Sequence, residues 1–220
     1  MLKGIIFDFD GVVAESVQVK TEAFGNLYKL YGDNIVKKVI KHHETNGGMS
    51  RFEKIKLYHK SFLNKVITNQ EIEVLANQFS KLVVNKVVES PYVPGVLDYI
   101  QKCTKKYRLF ISTGTPTNEM SQILDRRGIS KYFIEVYGSP EKKYAHISKI
   151  MSKYDYHPNE LIFYGDANTD IDAAEKANIP FVRFSISSIP NSEIPSKKTS
   201  ESDVPRNVLP FCSNSFRISL

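Results

Sequence analysis

The sequence predicts an α/β fold: a parallel sheet covered by helices on both faces, with an all-helical insertion after the first strand. Three observations carry this. From residue 108 onward, short apolar runs alternate with helical periodicity, the pattern of right-handed βαβ crossovers. A first apolar run at residues 4–9 stands apart from the others near the start of the chain. Between residues 15 and 89 apolar side chains recur at helical spacing, and no strand pattern interrupts them.

Each element has its own signal. Strand one, residues 4–9, is the run Ile5, Ile6, Phe7, Phe9, with Asp8 and Asp10 set into its end. In the insertion, Val19, Ala23, Leu27 and Leu30 repeat close to every fourth residue, which predicts one helix through all four. Further helices are expected over 35–42, 51–62 and 71–88. Thr68 with Glu71 three residues later is a capping box for the last of them. Residues 90–96, "SPYVPGV", hold two prolines and a glycine and form a linker, after which a helix runs to about residue 104. Then come a strand at 108–112, a helix at 117–127 ended by Gly128, a strand at 133–137 and a helix at 141–153. A strand at 161–164, a helix at 169–178 and a strand at 181–184 complete the alternation. The expected sheet is therefore Rossmann-like, built from residues 1–14 and 91–186, with residues 15–90 as a helical cap domain. Residues 187–220 are rich in Ser and Pro and lack periodicity. They read either as a disordered tail or as one whose "VLPF" stretch docks on the surface.

Composition narrows the function. The 220 residues carry a formal charge of +6, with lysines spread along the chain rather than clustered. That fits a solvated surface, or a field that attracts an anionic substrate. No basic-aromatic ladder, zinc spacing or recognition-helix pattern points to nucleic acid, so no nucleic acid is expected as a partner. No apolar run is long enough for a membrane helix, and residues 1–3 lead straight into strand one. A cytoplasmic protein without a membrane partner is expected. Cys103 and Cys212 are too few for a disulfide framework, and Cys103 reads as a small buried apolar residue.

In an open α/β sheet, ligands bind at the carboxyl ends of the strands. Asp8 and Asp10 follow strand one and, two apart on an extended chain, face the same way. Two like charges in one small volume repel; a bound cation would explain them. After residues 108–112 come Thr113 and Gly114, then a helix start, together an anion site. After residues 133–137 come Lys142 and Lys143 at a helix N-terminus, where the macrodipole disfavours cations. After residues 161–164 come Gly165, Asp166 and Asp170, with Asp172 beyond, and Ala173 and Ala174 allow close helix packing. Hard carboxylate oxygens suit Mg²⁺. Phosphoryl transfer needs neutralised charge and an in-line nucleophile, and an aspartate can serve as one.

The stretches DFDGV, FISTGTP, SPEKK and GDANTD stand in the order of the motifs of the haloacid dehalogenase-like (HAD) superfamily. Over residues 3–184 the chain resembles the phosphatase branch of that superfamily. The resemblance implies a Mg²⁺-dependent phosphomonoester hydrolase that acts on a small phosphorylated metabolite through an aspartyl-phosphate intermediate. It makes Asp8 the nucleophile. Asp10 becomes the general acid/base, with its backbone carbonyl on the metal. Thr113 and the Gly114 amide hold the phosphoryl group, and Lys143 neutralises it, with Lys142 one residue away. Asp166 completes the metal site, and Asp170 is a ligand or supports one. An acid at Asp10, where ATPase and phosphonatase relatives usually carry Thr or Ala, favours phosphoesters. The helical insertion resembles the family's cap, which closes over the site and excludes water. Its loop "NGGMSRFEK" has two readings. Ser50 with Glu53 is a helix N-cap; or Gly-x-Ser-Arg resembles the cap loop of β-phosphoglucomutases and places Ser50 and Arg51 on the substrate. The chain departs from those enzymes at Lys20, where they carry a histidine. A sugar phosphomutase, or a non-catalytic phosphate- or nucleic-acid-binding protein, stands as the alternative. The expected assembly is a monomer or weak homodimer.

Overall fold

The structure, a computed structural model, describes residues 1–184; the Ser/Pro-rich stretch expected at 187–220 lies outside the described residues. Five strands form one parallel sheet: β1 (Gly4–Phe7), β2 (Arg108–Pro116), β3 (Glu135–Ser139), β4 (Leu161–Gly165) and β5 (Phe181–Arg183). Their order is β3-β2-β1-β4-β5. Strand β1 is central, with Ile5 in register with both Leu109 and Ile162. Its side chains alternate between two cores, as the period of two requires. Ile5 and Phe7 pack on one face with Ile100 and Ile123, from helices α5 (Val96–Cys103) and α6 (Thr117–Arg126). Ile6 packs on the other with Ile147 and Ala174, from α7 (Lys143–Tyr154) and α8 (Asn168–Ala177). A strand buried on both faces needs the unbroken apolar run that the sequence supplies.

Four helices lie between β1 and α5: α1 (Val17–Leu27), α2 (Asp33–Thr45), α3 (Arg51–Ser61) and α4 (Asn69–Glu89). Aromatic rings bind them together. Phe24 on α1 sits 4.3 Å from Phe79 on α4 and edge-on to Tyr58 on α3. Thr68 and Glu71 form the capping box that starts α4.

Local departures from the sequence pattern have physical causes. The helix expected through Leu30 stops at Leu27, and a 3₁₀ turn follows at Lys29–Tyr31. Leu30 is 79% exposed, and Tyr28 is buried in its place. Gly32, at φ +87°, then redirects the chain into α2. Strand β3 begins two residues later than the apolar run implied. A 3₁₀ turn at Ser130–Tyr132 delivers Phe133 into the core, and the Ile134 N–H donates to the Leu109 carbonyl before the strand begins. Phe133 thus serves packing rather than the ladder. Strand β1 ends at Phe7, so Asp8 and Asp10 sit in the turn beyond it.

One buried titratable group sits beneath the sheet's working end. His146 on α7 is fully buried, its Nδ1 2.9 Å from the Ser112 hydroxyl, with Tyr137 stacked on the ring. Burial pushes its pKa down to about 4. The ring is therefore neutral in the fold but protonated in the unfolded chain below about pH 6.5. The unfolded state then binds more protons, so His146 costs stability as pH falls from about 6.5 towards 4, by up to ~1.4 kcal/mol per pH unit. Urea unfolding at about pH 7 and about pH 5 should show wild type losing more stability than His146→Gln. Equal losses would place the titration on other groups.

Candidate active site

The site forms where β1 runs out. The Asp8 N–H still donates to the Tyr164 carbonyl of β4, at 2.8 Å, so the ladder holds Asp8 although the strand has ended. Its Oδ1 accepts from the Phe9 N–H at 2.7 Å, and the side chain is buried. Two glycines let the neighbouring acids close in. A Cβ on Gly11, which has φ +78°, would lie 2.3 Å from an Asp166 carboxylate oxygen. One on Gly165 would meet the Asp170 side chain at 2.5 Å. Asp170 is fully buried and accepts from the Ala167 N–H at 3.0 Å, at the start of α8. Oxygens of Asp8, Asp166 and Asp170 lie within 4.8 Å of one another.

Lys143, the first residue of α7, reaches into this cluster. Its Nζ is 2.7 Å from Asp8 Oδ2 and also contacts the Asp170 carboxylate. Burial opposes the ammonium, but Asp170 and Asp8 outweigh it and raise its pKa. Even so, the acids are under-neutralised. Burial drives the Asp8 carboxyl well above its ordinary range, against Lys143 and with help from Asp170, Asp166 and Asp10. Asp166 is pushed up to about 6 by burial and then by Asp170. An all-oxygen donor set with surplus negative charge fits a hard divalent cation such as Mg²⁺.

Asp10 faces a different neighbour. Its carboxylate accepts from the Ser16 hydroxyl at 2.6 Å and contacts the Lys20 ammonium, which also donates to Thr115 Oγ1 at 2.7 Å. Burial pushes the Asp10 carboxyl up, but Lys20 and Ser16 outweigh it and hold it below the usual value. Thr113 is buried in β2, where its hydroxyl accepts from the Thr115 N–H at 3.2 Å. Gly114 lies so close to the loop before α3 that a Cβ there would stand 2.5 Å from the Gly48 carbonyl oxygen. The Thr169 hydroxyl donates to the Gly47 carbonyl at 2.9 Å, so α8 holds the same loop from its other side. Loop and sheet enclose a cavity of about 440 Å³, lined by Asp8, Asp10, Lys20, Arg51, Lys54 and Gly114 among others.

The structure brings Asp8, Lys143, Asp166 and Asp170 together, with Asp10, Thr113 and Gly114 at the same end of the sheet. Lys142 stands apart from the acids: its side chain is 82% exposed and lies 3.8 Å from Glu53, at the border of a smaller pocket that Thr113 and Gly114 also line. Ser50 caps α3, accepting from the Phe52 N–H at 3.3 Å. Arg51 is buried in a bidentate pair with Glu119 of α6, at 2.8 and 2.5 Å, and donates to the Ser80 hydroxyl at 2.6 Å. Its guanidinium also lies 4.7 Å from the Phe79 ring centre. The partners Glu119 and Ser16 were not singled out in the sequence. Ser16 and Lys20, one helical turn apart at the start of α1, form a local pattern that could have been read; Glu119 has none.

Comparison with known proteins agrees with this geometry. The sequence profile of the haloacid dehalogenase-like hydrolase family matches residues 5–184. A phosphorylated carbohydrates phosphatase of Thermotoga maritima is 22% identical over 187 residues, spanning 81% of this chain and 82% of the relative. A phosphoglycolate phosphatase of Vibrio vulnificus is 34% identical over 76 residues, 32% of this chain and 33% of the relative. Among solved structures, a β-phosphoglucomutase of Clostridium difficile superposes with a TM-score of 0.69 at 22% identity, over 83% of this chain and 84% of that one. A haloacid dehalogenase-like family protein of Streptococcus pneumoniae gives 0.63 at 19% identity over 83% and 84%. At such identities the structural likeness speaks for the fold.

The Arg51–Glu119 pair makes a stability prediction. Removing one partner leaves the other charge buried, so Glu119→Gln should destabilise the fold by roughly 3 kcal/mol, whereas the double variant Arg51→Met/Glu119→Leu should recover most of that. Denaturant melts of the three proteins give the comparison. A single variant as stable as wild type would mean that Arg51 has no structural need of Glu119.

Proposed function

Because the chain belongs to the haloacid dehalogenase-like hydrolase family, we propose that it is a phosphatase that cleaves small phosphomonoesters through a phosphorylated Asp8. The observation that carries this is the buried Asp8 carboxylate at the end of β1, with Lys143 2.7 Å from it and two further acids beside it. In the first half-reaction an Asp8 oxygen attacks phosphorus, the ester P–O bond breaks, and Asp10 gives the departing alkoxide its proton. In the second, Asp10 takes a proton from water, whose oxygen attacks the aspartyl phosphate. Phosphate leaves and Asp8 is free again. Lys143 offsets charge on the phosphoryl oxygens, and Thr113 and the Gly114 amide orient them. Asp8, Asp166 and the Asp10 carbonyl would hold Mg²⁺, with Asp170 as a ligand or support. Bound there, the ion supplies electrostatic stabilisation of the transferring phosphoryl group.

Lys20 sets the working state of Asp10. It favours the ionised form, ready to accept the proton of the hydrolytic water; when Asp10 acts as the acid, Lys20 must yield. A sugar phosphomutase would need Arg51 free to grip a second phosphate, whereas Glu119 engages both of its terminal nitrogens. Hydrolysis is therefore the better-supported chemistry. A cytoplasmic location and a monomer or weak homodimer go with this proposal, and nucleic acid and membranes have no part in it. Among the described residues, no helix is long and apolar enough to cross a membrane.

Two measurements test the proposal. Asp8→Asn should lower phosphate release from p-nitrophenyl phosphate by several powers of ten while keeping the wild-type circular dichroism. A loss of under about a hundredfold would remove Asp8 as the nucleophile. Activity should also vanish in excess chelator, return with Mg²⁺, and fall when Ca²⁺, with its looser oxygen shell, competes. Full activity in chelator would contradict a metal held by these acids.

A further inference from the structure

The cavity above the acids is lined by four lysines and arginines: Lys20, Arg51, Lys54 and Arg183. Three have visible partners. Lys20 is paired with Asp10, Arg51 with Glu119, and the exposed Arg183 donates to Asn168 Oδ1 at 2.9 Å. Lys54, one turn after Arg51 on α3, differs. It is 1% exposed, and no carboxylate pairs with it among the described residues. Its Nζ lies 2.8 Å from His43 Nδ1 and 5.6 Å from the Phe24 ring centre. His43 also lines the cavity. Burial and the nearby Lys54 push its pKa down to about 3, so the imidazole is neutral; an ammonium only donates, so the contact uses the tautomer whose Nδ1 accepts. One acceptor leaves two of the three ammonium donors unused by the described residues.

A buried ammonium without a counter-charge is costly. Burial accordingly pulls Lys54 down to about 7, with Lys20 adding to the effect and Asp10 opposing it. What the position lacks is an anion, and the open side of Lys54 is the substrate cavity. We infer that Lys54 is a specificity-determining residue whose ammonium receives an anionic oxygen group, a carboxylate or a second phosphate, on the alcohol part of the phosphomonoester. His43 orients it. The assignment rests on the phosphatase proposal for what is cleaved, but not for what is bound. It also moves the reading of substrate charge from Arg51, which Glu119 holds, to Lys54, which no acid holds among the described residues.

Binding of non-hydrolysable ligands, measured by calorimetry on the Mg²⁺-loaded protein, tests this directly. Phosphonoacetate and ethylphosphonate differ by a carboxylate; methylenebisphosphonate and methylphosphonate differ by a second phosphonate. Wild type should favour the member with the additional anionic group in at least one pair by about 30-fold or more, and the pair favoured identifies the source of the anion. In Lys54→Met and in Lys54→Gln, which keeps a donor for His43, that preference should fall to about threefold or less. Melting curves show which variants are folded, and either suffices. Where the carboxylate pair is the one favoured, kcat/KM for phosphoglycolate relative to 2-hydroxyethyl phosphate should drop by the same factor. Preference in neither pair, or a preference kept by a folded variant, overturns the assignment. If Lys54-dependent binding stands but wild type releases phosphate from no ester, the phosphatase proposal fails and the Lys54 site survives it.

Discussion

The Lys143 ammonium, wedged between Asp8 and Asp170, is the contact on which the site depends. Four aspartates meet at the carboxyl end of the sheet, and buried carboxylates are tolerated only when something balances them. Lys143 balances one and Lys20 another. Two negative charges remain, the amount a divalent cation carries. Burial first, and that surplus after it, raises the pKa values of Asp8 and Asp166 in the protein alone. The same arithmetic explains why a lysine begins α7, where the macrodipole works against it: the acids outweigh the helix end.

Fold and chemistry are joined by backbone geometry. Parallel strands with crossover helices deliver every βα turn to one edge of the sheet, so residues just after β1 and β4 meet residues of β2, α7 and α8 although 162 positions separate Asp8 from Asp170. Glycines then set the distances. Gly11 and Gly165 admit the Asp166 and Asp170 side chains, and Gly114 admits the loop of the helical insertion. That loop is held by Thr169 and, through α3, by the Arg51–Glu119 pair.

Much of this was legible in the sequence because its causes are local. Ile5, Ile6 and Phe7 end at two acids, "LIFY" runs into Gly165 and Asp166, and Thr68 with Glu71 announces α4. Where local pattern and tertiary packing disagree, packing decides: Phe133 leaves its apparent strand for the core, and Tyr28 displaces Leu30. The site residues followed the same division. Asp8, Asp166 and Asp170 stand beside strand ends and could be found there. Lys142 and Lys143 could not be told apart, since only the first turn of α7 determines which one faces inward. The hydrophobic pattern predicted a helix at Arg51 but not its partner, because Glu119 lies 68 residues away on an element whose own pattern gives no hint of it. Lys54 was silent for the same reason: a lysine on a helix reads as solvated until the structure shows it buried against His43.

Catalysis by this site requires that a phosphoryl group pass through Asp8. Acid quenching during turnover of a phosphomonoester, followed by peptide mass spectrometry, measures it. The peptide that contains Asp8 should carry one added phosphoryl group, labile to hydroxylamine as an acyl phosphate is, and absent from Asp8→Asn. Phosphate release with no modified peptide, or with the modification on another residue, would contradict it.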